Sequence, residues 1–256
     1  MTGLPLHGRV NCTKCFSSEK AVEFDITKRT DGKWRITANP CAWGNPEPEV
    51  LVLGFSKGPT QAGSLANFPH NEIAYKGGRK NIGKIFQHIG LIPPTDDNLL
   101  GEAISSLILD KNGKFHFASL SRCTVEQLKK GEWSSTGGGI LDKFMESPFG
   151  KEISANCSTQ FLKDLPAKTK LIVMFGTGNK LNYVRHAFEL YKKIRGGEWT
   201  WINEVSYTDG KIVVVHTEHF ISQGSYISDW LGKDNHPRGL YGVMAKQAVS
   251  NNAHLS

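Results

Sequence analysis

The chain has no apolar run approaching the roughly 18 residues that a membrane helix needs, which excludes a helical span as its organising feature. The opening segment, MTGLPLHGRVNCTKC, has no apolar core of the secretory type, so the predicted location is the cytoplasm, where thiols stay reduced. There is no internal repeat and no low-complexity tract. FGTGN (175–179) follows an apolar run, but it lacks the G-x-G-x-x-G pattern and a downstream acidic partner, which removes a dinucleotide site. Acidic residues are the scarcer charge: 24 Asp and Glu stand against 31 Lys and Arg, giving a formal charge of +7 that favours a polyanionic partner. Cysteine is scarce too, with five residues in 256, but the placement of those five is informative.

The length suits one large domain or two small ones, with a sizeable core. VEFDI and KWRIT flank TDG, which predicts a hairpin with Asp31-Gly32 in its turn. Four short apolar runs follow: EVLVLG (49–54), FHFASLS (115–121), KLIVMFG (170–176) and KIVVVHT (211–217). Such runs suit buried parallel strands. Helices are expected over NIGKIFQHIGL, stopped by Pro93-Pro94, over LNYVRHAFELYKKI, and over GLYGVMAKQAV near the end of the chain. Strands alternating with helices predict an α/β protein with a mainly parallel sheet covered on both faces. Ligands in such sheets bind beyond the carboxyl ends of the strands. GFSKGPTQ, SLSRC, FGTGN and HTEHFIS all fall there.

Cys12 and Cys15 form a C-x-x-C, and Cys123 and Cys157 lie far downstream. A split set of thiols in a reducing compartment points to a metal centre rather than to disulfides. Cys41 leaves a choice of four from five, and buried apolar thiols are the plain alternative. Four thiolates satisfy either zinc or an iron–sulfur cluster.

Six segments in order resemble the iron–sulfur uracil-DNA glycosylases. GNPEPEVLVLGFSKG resembles that family's G-N-P, apolar strand and G-E-A-P-G. GGRKNIGKIFQHIGL resembles its G-R-x-G-x-L-L helix, and ASLSRCTVEQL its strand ending T-N-V-V-K-C-R-P. NCSTQFLKDLPAKTKLIVMFGTGN resembles its C-R-P-F-L, helix and strand ending in L-G. VVVHTEHFIS resembles the second active-site motif, H-P-A or H-P-S, and RGLYGVMAKQA the R-G-F-F-G segment of other uracil glycosylases. The resemblance runs from Cys12 to about residue 248. It implies a single three-layer α/β/α domain over 1–256 with a central four-stranded, mainly parallel sheet, and a cysteine-bearing extension and hairpin over about 1–45. It also implies that Cys12, Cys15, Cys123 and Cys157 bind a structural [4Fe–4S] cluster, with zinc as the alternative metal and Cys41 left out.

The same resemblance assigns the site. His219 matches the motif histidine, with Phe220 in place of proline, and would donate to the departing base. His216, three residues earlier, is its rival. Gly54-Phe55-Ser56-Lys57-Gly58 stands where G-E-A-P-G would be, so the acidic group is replaced by Phe55. Ser56 is the hydroxyl left to hold water, with Gln61 or Asn67 as substitutes, and Gly54 and Gly58 permit close backbone approach. The base-reading asparagine falls on Ser119, so substrate choice departs from that of the family. Tyr75, with Phe68 as rival, would stack on the base. Arg79 and Lys80 at a helix start, Arg238 with nearby Lys233, and Leu240 as a wedge would meet DNA. The expected function is hydrolysis of the N-glycosidic bond of uracil or another damaged base in DNA, with no obligate protein partner. A weakly active or inactive nucleic-acid-binding member of the fold is the alternative, followed by a zinc-stabilised hydrolase of a nucleoside or small glycoside.

Overall fold

The computed structural model describes residues 3–58, 65, 68–135, 139–222 and 224–255, so Gln61 and Asn67 lie outside the described residues. In chain order, the N-terminal part carries β1 (Gly8–Arg9), β2 (Lys28–Asp31), β3 (Trp34–Thr37), β4 (Cys41–Gly44) and β5 (Val50–Gly54). Helices α1 (His70–Ile73), α2 (Arg79–His88) and α3 (Leu100–Leu109) follow. Next come β6 (Phe115–Ser119), β7 (Thr124–Lys129), β8 (Glu132–Ser134), α4 (Ile140–Glu146) and α5 (Pro148–Phe161). The chain continues through β9 (Leu171–Phe175), α6 (Asn182–Arg195), β10 (Thr200–Asn203), β11 (Ser206–Thr208) and β12 (Val213–Thr217). It closes with α7 (Tyr226–Trp230) and α8 (Gly239–Asn252). No helix among the described residues is long and apolar enough to cross a membrane.

The protein is mixed α/β with a large mixed sheet. Its four expected apolar runs do form parallel neighbours, in the order β6-β5-β9-β12. The sheet is not four-stranded, however. It has eight strands, because β4 and then β1 extend it antiparallel beyond β6, while β11 and then β10 extend it beyond β12. These added strands are short, which is why no long apolar run announces them. A second, antiparallel sheet of order β2-β3-β7-β8 stands apart from the first. The hairpin turn falls at Gly32 (φ +54°) as expected, but its first strand is Lys28–Asp31 rather than VEFDI. The earlier segment instead turns through Asp25 (φ +66°).

Alternation sends successive side chains of the parallel strands into two separate cores. Leu51, Leu53, Ile172, Met174 and Val214 pack with Phe144 of α4, Ile153 of α5 and Tyr191 of α6. Val50, Val52, Val173, Phe175 and Val215 pack with Phe86 of α2, Ile104 of α3 and Val249 of α8. Local signals set the helix ends. Ser147 accepts from the Gly150 N–H at 3.0 Å and Pro148 occupies the first turn of α5. Helix α2 ends before Pro93-Pro94: Gly90 (φ +79°) turns the chain, and the Leu91 N–H reaches Phe86 O at 2.8 Å in a Schellman closure.

Candidate active site and thiol cluster

The carboxyl ends of the parallel strands lie in register, with Gly54 opposite Ser119 and Phe175 opposite Thr217. A small enclosed cavity of about 20 Å³ opens there. Gly54, Ser56, Tyr75, Ser119 and His219 all line it, drawn together from positions up to 165 residues apart (219 − 54). Trp43, Lys57, Ala118 and Phe220 complete the wall. Its volume suits one water.

His219 is the most constrained of these groups. Its Nδ1 accepts from the Ile221 N–H at 3.3 Å, which leaves Nε2 as the protonated nitrogen of a neutral ring. Burial lowers its pKa, opposed by the neighbouring Glu218 carboxylate. The ring stacks on Phe220 at 4.6 Å. Asn81 on α2 holds that turn by donating to Phe220 O at 2.9 Å. Gly78 allows Phe220 to lie against the start of α2, where a Cβ would overlap the Phe220 ring. Behind the motif, buried Glu218 accepts from Ser222 Oγ at 2.6 Å and from Arg238 Nη1 at 2.7 Å. Arg238 also covers the Tyr226 ring at 4.3 Å. His216 is a core residue: it is fully buried, with Nδ1 against Gly176 O at 3.1 Å and Nε2 at 3.3 Å from Tyr207 Oη.

Other expected site residues take different places. Phe55 turns away from the cavity, because the alternation that puts Gly54 and Ser56 on the cavity side aims Phe55 into the opposite core. It lies edge-on to Phe144 at 5.7 Å and to Tyr183 at 6.0 Å. Gly58 is not part of the cavity wall. Tyr75 is part of it, yet its hydroxyl donates to Ala118 O at 2.7 Å and its ring meets Phe117, Phe175 and Phe220 edge-on. It adopts φ +53°, a strained conformation for an aromatic residue. Phe68 lies beneath Lys76 Nζ at 4.0 Å, and Lys76 makes it a surface cation–π partner. Arg79 braces α1 to α3 by donating to Ala74 O, Asn71 O and Ser105 Oγ, so its guanidinium is spent inside the protein. Lys80 pairs with Asp97 at 2.6 Å on the surface. Leu240 is 62 % exposed on the first turn of α8.

Cys12, Cys15, Cys123 and Cys157 lie within electrostatic reach of one another. Cys15 feels the charges of Cys157 and Cys12, Cys123 those of Cys157 and Cys15, and Cys157 that of Cys12. Cys41 instead neighbours Lys57, Arg9 and Arg122. Burial pushes the Cys15 thiol up to about 12 and raises Cys123 and Cys157 as well. The chain brings Cys123 here by stepping from β6 to β7 through residues 120–123. Arg29 brings the N-terminal segment in: it donates to Cys15 O and forms a two-point pair with Glu152 on α5, the helix that carries Cys157. Among the described residues, no three His, Cys, Asp or Glu side chains already form a metal shell.

Two buried cations face these thiols. Lys57 and Arg122 are 3 % and 1 % exposed, and neither has a carboxylate partner among the described residues. Lys57 Nζ donates to Arg122 O. Burial lowers its pKa, while Cys41, Cys123 and Cys157 pull it back up. The Arg122 backbone N–H points at Cys157 Sγ at 3.5 Å, its guanidinium lies over Phe161 at 4.4 Å, and its Nη2 has no partner. Buried charges of one sign are costly without a counter-charge. Four ligated thiolates would supply it, so the donor set and its surroundings fit a thiolate-bound metal centre. Sequence reading missed Lys57 because lysine in a Gly-rich loop reads as a surface residue. No protein-family model matches the chain, and no curated protein matches it.

Proposed function

We infer that the chain is a DNA glycosylase of the uracil-DNA glycosylase superfamily, acting on uracil or another deaminated base. The observation that carries this reading is the convergence of Gly54, Ser56, Tyr75, Ser119 and His219 on one cavity at the carboxyl ends of the parallel strands. The parallel order, the helices on both faces and the loop placement support a three-layer α/β/α core to which the edge strands and second sheet are additions. In the reaction, the bond from C1′ to the base nitrogen breaks and the base departs with the electron pair. Water then supplies hydroxide to C1′ and a proton to the base. His219 Nε2–H stabilises the anionic base without adding a full charge. Ser56, at the cavity wall, holds the water. A base is larger than the cavity, so Phe220, on the loop rather than on a strand, is the wall that must move.

Cys12, Cys15, Cys123 and Cys157 would hold a [4Fe–4S] cluster, with Lys57 and Arg122 balancing its charge. When bound, the cluster ties the N-terminal segment to β7 and α5 and couples ligation to folding. Arg238 orients the His219 loop through Glu218, and Leu240 is the exposed apolar side chain placed to fill a vacated stack.

A second reading, a nucleic-acid-binding member with little excision, is favoured by one observation: among the described residues, no carboxylate lines the cavity. Oligonucleotides with a single uracil, single-stranded and double-stranded, decide between the two. Excision that falls about 10²–10³-fold in His219→Ala, with the fold intact, is the expected result. No excision across a panel of deaminated bases, alongside retained DNA affinity, overturns the glycosylase reading. Metal analysis and a visible spectrum of anaerobically purified protein separate iron–sulfur from zinc.

A further inference from the structure

A second concavity, far larger than the base cavity at about 720 Å³, lies at the outer edge of the same sheet, where Asn203 and Glu204 lead from β10 to β11. Its walls come from the start of α6, from β10 and from α8. Trp201 on β10 is its platform. One face of the indole stacks on Phe188 at 4.4 Å and its edge meets Tyr207, while the residue remains 45 % exposed. Tyr241 on α8 supplies a second ring, beside exposed Leu240. Lys180 and Arg185 bring two exposed cations that belong to no ion pair among the described residues, against the single carboxylate of Glu204.

The backbone that presents Lys180 is held under strain. Lys180 and Leu181 both occupy the left-handed region, with φ of 49° and 61°. Two such residues in succession are costly and persist only where the surroundings fix them. Here buried Asp142 on α4 accepts from the Asn179 N–H at 2.8 Å, and the absent side chain of Gly178 makes room for Asp142 and Tyr183. Two chain segments that lead into the groove also meet the His219 loop. The turn after β9 that leads to Lys180 begins at Gly176, where a Cβ would lie 3.9 Å from His219 Cδ2. Helix α8, which carries Tyr241, is joined to the His219 loop by Arg238 and Glu218.

Rigid aromatic faces beside unpaired cations are what a single strand uses: bases stack and phosphates pair, with little demand on sequence. We propose that this groove binds one or two nucleotides of single-stranded DNA flanking the base held in the neighbouring cavity, with Trp201 and Tyr241 stacking and Lys180 and Arg185 taking phosphate. The proposal rests on the base-excision reading for its biological setting, but its test does not require excision.

The test is fluorescence anisotropy with a labelled, uracil-free oligothymidylate over a series of salt concentrations. Trp201→Ala is expected to weaken binding about tenfold. Lys180→Gln combined with Arg185→Gln leaves the core untouched and is expected to reduce the slope of log affinity against log salt by about 1.4, the contribution of roughly two single-strand phosphates. Failure of the unaltered chain to bind oligothymidylate, or unchanged affinity and salt slope in both groove variants, overturns the proposal. Excision with no groove dependence sinks this inference alone, whereas groove-dependent binding with no excision sinks the glycosylase reading alone.

Discussion

Lys57 separates two regions of opposite character. On one side lies the small cavity lined by His219, whose Nδ1 accepts from the Ile221 N–H, and by Tyr75, whose hydroxyl is already satisfied by strand backbone. On the other side lie four thiols and two buried cations, one guanidinium nitrogen of which has no partner. Among the described residues, Lys57 is the one lysine, arginine or carboxylate side chain in the cavity wall. On the proposed reading, ionised and ligated sulfurs would supply the counter-charge of the thiol side. A neutral donor works best where nearby charge is fixed elsewhere, so the proposed function would put chemistry in one region and charge storage in the other.

The sharpest way to break that contrast is to remove one sulfur. Cys157→Ala is expected to lose bound iron and the visible absorption of the cluster, leaving Lys57 and Arg122 without a counter-charge. Stranding buried charge costs about 3–5 kcal/mol. At about 2–4 °C per kcal/mol for a chain of this size, Tm falls by roughly 6–20 °C. Cys41→Ala is expected to keep the iron, because Cys41 neighbours the cations rather than the other thiols. Equal iron content in the two variants, read by metal analysis, would erase the distinction between the regions.

Much of this contrast was legible in the sequence, and the exceptions have physical causes. The four parallel strands are buried on both faces, so they appear as unbroken apolar runs. The edge strands are short or half exposed and carry no such signal. Gly54 and Ser56 line the cavity, and the same period-two rule, continued past the strand end, places Phe55 on the far side. The burial of Lys57 is a tertiary fact with no local signature. Phe220 was visible only as a replaced proline. Its role as a wall depends on Gly78, which belongs to another element. Arg79 looked like a phosphate ligand at a helix start, but its partners come from three separate backbone and side-chain groups that no spacing reveals.

Acid sharpens the comparison next, because it acts on the strands that carry the cavity. Burial lowers His216 to about 4, and burial with the nearby Arg122 charge lowers His116 to about 3. A histidine whose folded pKa lies below its unfolded value binds more protons when unfolded, so stability rises with pH through that window. Its contribution is complete above about pH 6.5 and is lost as pH falls towards the folded value. For His216 alone the loss by pH 4 is about 3 kcal/mol. Melting curves between pH 7 and about pH 4 should show this decline, and His216→Gln should flatten it by close to one proton. An unchanged slope would mean that His216 is already charged in the fold.

The smallest expected effect tests whether the cavity wall is tuned independently of the thiol side. In Gly78→Ala the new methyl group meets the Phe220 ring, so Phe220 must shift. Overpacking of this kind costs about 1–3 kcal/mol. Because Asn81 grips Phe220 O and His219 stacks on Phe220, the shift should pass to the imidazole and lower excision. Iron content and absorption should stay at the level of the unaltered chain, since no thiol or cation touches this wall other than Lys57. Loss of iron in Gly78→Ala would show that Lys57 transmits strain from cavity to cluster, and the two regions would then be one cooperative unit rather than neighbours with separate tasks.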